Sequence, residues 1–292
     1  MSLWDGIADA IAKATGGPFQ IVARSESGGG CINRAYVLTG SDGTLWFVKL
    51  NRANHLAMFQ AEAAGLDEIR ASATFRVPAP LCTGSDAGES WLVMEYLTLT
   101  GQGDAAGFGQ TLAGLHRHRA ARFGWHIDNT IGATPQPNQA GDDWIDFWRD
   151  RRLLHQLQLA ASNGIGRHVV DRGELLAANL AGLFPGYRPM PCLLHGDLWS
   201  GNAAYSDGRP VVFDPAVYYG DREADLAMTE LFGGFAPDFY SAYRESWPLD
   251  AGYTVRRELY NLYHVINHFN LFGGGYGPQT ARMLDALLAD LR

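Results

Sequence analysis

His195-Gly196-Asp197-Leu198-Trp199-Ser200-Gly201-Asn202, followed by Phe213-Asp214-Pro215-Ala216, decides how this chain is read. An acid and an amide stand five positions apart in a loop. A second acid follows on the far side of a strand–turn–strand stretch, residues 203–205 and 211–213 around the turn Ser206-Asp207-Gly208-Arg209. Acid, amide and second acid in that order form a layout that orients a hydroxyl and holds metal-bound ATP. A hydroxyl is a poor nucleophile and must be aimed at the γ-phosphorus and relieved of its proton. Asp197 is the candidate base. Asn202 brings an amide oxygen and Asp214 a harder anionic ligand for Mg²⁺, which takes few protein oxygens and fills its shell from phosphates and water.

Working back from that loop, the upstream sequence supplies the parts such chemistry needs. Residues 21–23 and 35–38 read as strands around Ser27-Gly28-Gly29-Gly30-Cys31-Ile32-Asn33. Consecutive Gly28, Gly29 and Gly30 let backbone N–H groups converge on phosphate oxygens. Leu45-Trp46-Phe47-Val48-Lys49-Leu50 is an apolar strand broken by one lysine, which is expensive to bury unless paired. The partner expected is Glu62, beside the helical stripe Phe59, Ala63, Leu66 and Ile69, with Asp67 or Glu68 as alternatives. Trp91-Leu92-Val93-Met94-Glu95-Tyr96-Leu97 reads as a buried strand whose backbone at Glu95, Tyr96 and Leu97 is placed to bond an adenine. Residues 98–107, rich in Thr and Gly, read as a linker. The division expected is 1–97 for nucleotide binding and 98–292 for catalysis and substrate binding.

Further along, residues 110–117 read as a helix and 123–138 as a long, solvent-exposed polar loop, with the edge of a substrate cleft as the alternative. A helix is expected over 142–161, capped by Asp142 or Asp143, with Trp144, Phe147, Trp148, Arg151 and Leu154 on one inward stripe. Another helix is expected over 169–183. Cys192-Leu193-Leu194 then delivers the catalytic loop as a short strand.

Composition narrows the rest. The 292 residues are 47% hydrophobic and 18% charged, which suits a chain that buries a large core and excludes a disordered or fibrous one. A net charge of −8 and no basic patch argue against nucleic-acid binding. No apolar run approaches the roughly 18 residues of a membrane helix, and the N-terminus lacks the features of a secretory signal. Cys31, Cys82 and Cys192 are an odd, widely spaced set that suits neither a disulfide framework nor a zinc site, so a cytoplasmic setting is expected. His116 and His118, or His264 and His268, read as packing or hydrogen-bonding histidines. Cys31, inside the glycine turn, is either a redox-sensitive position or a small residue filling the turn.

The loop 195–202 resembles the catalytic loop of the protein-kinase-like fold. Trp199 between the acid and the amide makes the chain similar to the fructosamine kinase (ketosamine-3-kinase) family. Asp214-Pro215-Ala216, residues 219–228 and the tail 262–276 carry the same resemblance. The third glycine of the protein-kinase pattern is absent, and Asn33 stands near its place. The resemblance implies an α+β, bilobal fold, with a small N-terminal antiparallel-sheet lobe and a larger, mainly helical C-terminal lobe. It implies ATP and Mg²⁺ as cofactors and phosphorylation of the 3-hydroxyl of ketosamines, free or on glycated proteins. The unstable 3-phosphate then frees the amine, a deglycation repair. It also implies that Asp225 accepts backbone N–H bonds from the catalytic loop, while His195 is expected to brace that loop. Trp199 suits the apolar face of a sugar and a cationic amine, and His268 and Asn267 are further substrate candidates. The alternatives are a kinase of the aminoglycoside or choline type and a non-catalytic pseudokinase.

Overall fold

A computed structural model describes residues 2–28 and 32–291. In chain order its elements are α1 (Leu3–Thr15), β1 (Ile21–Ser27), β2 (Arg34–Gly40), β3 (Leu45–Arg52), α2 (Leu56–Ala71), β4 (Pro80–Asp86), β5 (Glu89–Glu95), α3 (Ala105–Leu115), β6 (Asn129–Ile131) and β7 (Thr134–Gln136). There follow α4 (Trp144–Trp148), α5 (Leu154–Ser162), α6 (Arg167–Ala178), β8 (Cys192–Leu194), β9 (Ala203–Ser206), β10 (Arg209–Val212), β11 (Tyr218–Gly220), α7 (Glu223–Leu231), α8 (Pro237–Ser246), α9 (Tyr253–Phe272) and α10 (Tyr276–Asp290). The chain forms two compact units: Met1–Gln102 with Ala204–Asp214, and Gly103–Ala203 with Pro215–Arg292.

The first unit is built on an antiparallel sheet of order β1-β2-β3-β5-β4. Its helix α1 starts on a reciprocal cap: Ser2 Oγ accepts from Asp5 N–H and the Asp5 carboxylate accepts from Ser2 N–H. Ile7 and Ile11 of α1 bury against Leu38, Val48, Leu50, Trp91 and Val93. Because side chains alternate across a strand, Lys49 lies on the opposite sheet face from Val48 and Leu50. There α2, which buries Phe59, Leu66 and Ile69, packs on β4 and β5. The hairpin β9–β10 belongs to this unit apart from Ala203, and turns on Asp207 and Gly208 at φ 50° and 73°, the left-handed pair that a tight hairpin requires.

The linker expected over 98–107 is shorter and more ordered than its composition implies. β5 ends at Glu95, Thr100 and Tyr205 exchange backbone hydrogen bonds at 2.8 and 2.9 Å, and α3 begins at Ala105 on an Asp104 cap.

The second unit is mainly helical. Leu259, Tyr260, Leu262, Val265 and Ile266 of α9 are almost fully buried. α3 packs on α8 closely enough that a Cβ at Gly109 would meet the Phe239 carbonyl. The helix expected over 142–161 is capped by Asp143, and residues Arg149–Leu153 form a π-turn inside it. That turn advances the phase by one residue. Arg152 and Leu153 are therefore the buried residues, and Arg151 and Leu154, expected on the inward stripe, are only half-buried. The helix expected over 169–183 stops at Ala178, and Leu180–Leu183 is a separate 3₁₀ turn. Residues 123–138 are not an exposed loop. They contain the hairpin β6–β7 and bury Asn129, Thr134, Gln136 and Asn138. Among the described residues no helix is long and apolar enough to cross a membrane.

Candidate active site

In the first unit Lys49 is 6% exposed and lies within a charged triad. Its Nζ donates to Glu62 Oε1 at 2.5 Å and also to Asp214 Oδ1. Burial alone would lower the lysine pKa. The charges of Asp214 and Glu62 overcome it and hold the pKa raised, so the ammonium persists at neutral pH. Burial pushes the Glu62 carboxyl up, and Lys49 opposes that shift. Asp214 has a φ of 57°, a left-handed conformation that aspartate tolerates better than most residues. Its side chain is about half exposed.

The expected nucleotide contacts lie at the glycine turn and at the end of β5. Gly28 is the exposed residue after β1, whereas Gly29, Gly30 and Cys31 lie outside the described residues. Glu95 N–H is already donated to Ala79 O at 2.8 Å, and its carboxylate pairs with Arg76 at 2.9 Å. That amide is therefore not a free donor for adenine. Tyr96 and Leu97 follow as irregular chain beyond the strand.

In the second unit β8 leads into His195–Asn202, and Asp225, near the start of α7, holds the loop by its backbone. His195 N–H donates to Asp225 Oδ2 at 2.7 Å and Gly196 N–H to Oδ1 at 2.8 Å. Burial opposes ionisation of Asp225, but hydrogen bonding and charge from His116, with charge from His195 and the Gly196 N–H bond, hold its pKa below the ordinary value. Gly196 has a φ of 83°, and a Cβ there would strike the Ala216 carbonyl. Asp197 N–H donates to His195 Nδ1 at 3.2 Å, so the buried imidazole braces the turn. Asn202 Nδ2 donates to Asp197 O at 2.9 Å and to Asp197 Oδ2 at 3.2 Å. With its nitrogen so engaged, the amide offers its oxygen to a cation.

Trp199 is 36% exposed. Its ring meets Phe232 edge-on at 6.2 Å, and Phe232 also lies 4.9 Å from the ring of His268. Trp199 and His268 thus border one aromatic surface. His268 Nδ1 donates to His264 O at 2.8 Å, and burial lowers the ring's pKa despite that bond. Asn267 is buried and accepts from Gln156 at 3.3 Å.

Several further residues build the site. His116 is fully buried, with Nε2 3.2 Å from Asp225 Oδ2 and Nδ1 2.8 Å from Tyr243 Oη. Arg256 and Glu223 form a fully buried pair at 2.7 Å, and Asp221 accepts from Tyr187 and Tyr260 hydroxyls at 2.8 and 2.6 Å. A signal was available in the charged run Asp221-Arg222-Glu223 at the start of α7, which is buried throughout. Among the described residues no group of three or more His, Cys, Asp or Glu is placed to hold a metal. Amide and carboxylate oxygens are donors of the kind Mg²⁺ takes, its remaining ligands coming from phosphate and water.

The fructosamine kinase family model matches residues 3–290. The chain belongs to the fructosamine kinase family. A protein described as a "Probable ketoamine kinase" from a Synechocystis species is 50% identical over 98% of this chain and 97% of its own length. The chloroplastic protein-ribulosamine 3-kinase of Arabidopsis thaliana is 43% identical over 94% of this chain and 85% of its own. A crystal structure from Haemophilus somnus, of a protein assigned as a fructosamine-3-kinase, superposes with a TM-score of 0.89 at 28% identity over 98% and 97% of the two chains. This fructosamine kinase relative is therefore a phosphotransferase with the α+β, protein-kinase-like fold that the resemblance implied.

Proposed function

We propose that the chain transfers the γ-phosphoryl group of Mg-ATP to the 3-hydroxyl of a ketosamine, free or borne on a protein. The 3-phosphate so formed breaks down and frees the amine, which makes the reaction a deglycation repair. Magnesium-bound ATP supplies the phosphoryl group and neutralises the charge that gathers on it. Lys49, oriented by Glu62, holds phosphate oxygens, the glycine turn of Gly28, Gly29 and Gly30 is assigned to the same phosphates, and the adenine bonds the chain after the engaged Glu95 amide, at the Glu95 carbonyl, Tyr96 and Leu97. Asn202 and Asp214 are the metal ligands. Asp197 accepts the hydroxyl proton, while Trp199 and His268 receive the sugar and the amine. His195 and Asp225 keep the loop in shape.

The observation that carries this reading is the Asp197–Asn202 pair on a loop whose backbone is pinned by Asp225. A base held by its own loop needs little reorganisation when the hydroxyl arrives. The test is ATP consumption with a fructosamine and a ribulosamine, free and on a peptide, with choline and kanamycin in parallel. Ketosamines are expected to be turned over, and Asp197→Ala to lower kcat by about 10³-fold. An unchanged rate in Asp197→Ala rejects the base, and preferential turnover of choline or kanamycin rejects the acceptor.

A further inference from the structure

Side-chain amides hold two carbonyls of the segment that runs beside the catalytic loop. β11 pairs with β8, Tyr218 opposite Leu194 and Gly220 opposite Cys192, and Ala216 N–H extends that pairing to His195 O at 2.8 Å. On the other edge Tyr219 and Gly124 exchange two backbone bonds, both 2.9 Å. Toward the catalytic loop, the carbonyls of Val217 and Ala216 are met by side chains. Asn129 Nδ2 donates to Val217 O at 2.8 Å, and Gln136 Nε2 donates to Ala216 O at 3.1 Å.

Each of these amides ends a chain of donors. Arg152 donates to Asn138 Oδ1 at 2.7 Å, Asn138 to Asn129 Oδ1 at 2.8 Å, and Asn129 to Val217. Tyr263 of α9 donates to Gln136 Oε1 at 2.7 Å, and Gln136 to Ala216. Gln136 Nε2 also donates to Asn129 Oδ1 at 2.8 Å, which joins the two chains. Gln136 is 1% exposed, and Asn138 and Arg152 are fully buried. Bonds aligned donor to acceptor in a dry interior strengthen one another and fix one geometry.

Ala216 is the point where this clamp reaches the catalytic loop. Its N–H holds His195, and its carbonyl lies where a side chain on Gly196 would be. His195 in turn accepts from Asp197 N–H. We infer that Gln136 is a positioning residue for phosphoryl transfer: it fixes Ala216, and through Ala216 the His195–Asp197 turn, with Tyr263 linking the clamp to the helix that carries His268. The inference rests on the reading of Asp197 as the base.

Two variants test it. Gln136→Met keeps volume and loses both donors, and Tyr263→Phe removes one hydroxyl. Gln136→Met is expected to lower kcat by about 10- to 100-fold with KM for ATP within about twofold, and Tyr263→Phe by a smaller factor. The double variant is expected to fall no further than about twofold below Gln136→Met, because both lie on one path. Amide hydrogen exchange at Ala216 and Asp197 is expected to quicken by about tenfold in Gln136→Met while Val48 is unchanged. Unaltered kcat in both variants overturns the inference, and so does exchange that quickens equally at Val48, the mark of general destabilisation. Should Gln136→Met not fold, the same kcat and exchange comparison on Tyr263→Phe decides. Should the wild type turn over no ketosamine, the assigned acceptor falls, while the exchange comparison still decides the clamp.

Discussion

Asp225 holds two consecutive backbone amides of the catalytic loop on separate carboxylate oxygens, His195 N–H on Oδ2 and Gly196 N–H on Oδ1. Only an ionised acid offers both oxygens as acceptors. In Asp225→Asn one of the two N–H groups must face an amide NH₂. A buried donor left unpaired costs about 1–3 kcal/mol, and the loop that carries Asp197 loses one of its anchors. Asp225→Asn is therefore expected to be less stable by that amount in urea unfolding and to lose about 100-fold in kcat. A variant with wild-type kcat would show that Asp225 serves the fold and not the loop's geometry.

Lys49 joins two acids, and its removal sets them against each other. Its pKa is raised in the folded state, so its contribution to stability is complete below the ordinary lysine value of 10.5 and fades only as pH climbs through the higher folded value. Lys49→Met leaves the buried Glu62 without its cation, at a cost of about 3–5 kcal/mol near pH 8. Lys49→Met/Glu62→Gln removes the stranded charge and is expected to recover most of that loss in urea unfolding. Neither variant is expected to regain ATP-dependent turnover. Equal stability of the single and double variants would show that Glu62 is not stranded by the loss of Lys49.

What the sequence made legible follows how far each partner lies along the chain. Lys49 and Glu62 are thirteen residues apart, and the kinase layout, a lysine in an apolar strand followed by a helix with Glu62 beside its apolar stripe, points to that pair ahead of Asp67 or Glu68. The hold of Asp225 on the loop came from a motif resemblance and not from any local pattern. The burial of the polar residues of 123–138 is not legible in the sequence because Asn and Gln ordinarily face water. Their partners Ala216 and Val217 lie some eighty residues further on, where no periodicity can point. An uninterrupted α-helix would place Arg151 inward. The π-turn puts Arg152 inside instead, its guanidinium 4.1 Å from the Tyr218 ring centroid. His116, 109 residues from Asp225, had no signal beyond being a histidine on a helix.

His264 gives a stability prediction with a definite sign. It is 4% exposed, and burial, aided by His268, drives its pKa from 6.5 down to about 3. The unfolded chain therefore binds a proton that the folded chain refuses whenever pH lies between those values. Stability from this group is complete above pH 6.5 and declines on acidification, at about 1.4 kcal/mol per pH unit once well below 6.5. Glu223 acts in the opposite sense, because burial lifts its carboxyl to about 7 and the folded state takes up the proton first. The difference between wild type and His264→Asn is thus the quantity to follow, not the absolute slope. Urea unfolding at pH 6.0, 5.5 and 5.0 is expected to show a shallower loss in His264→Asn by about 1.4 kcal/mol per unit. Parallel pH profiles for the two proteins would mean that the imidazole protonates as readily in the fold as out of it.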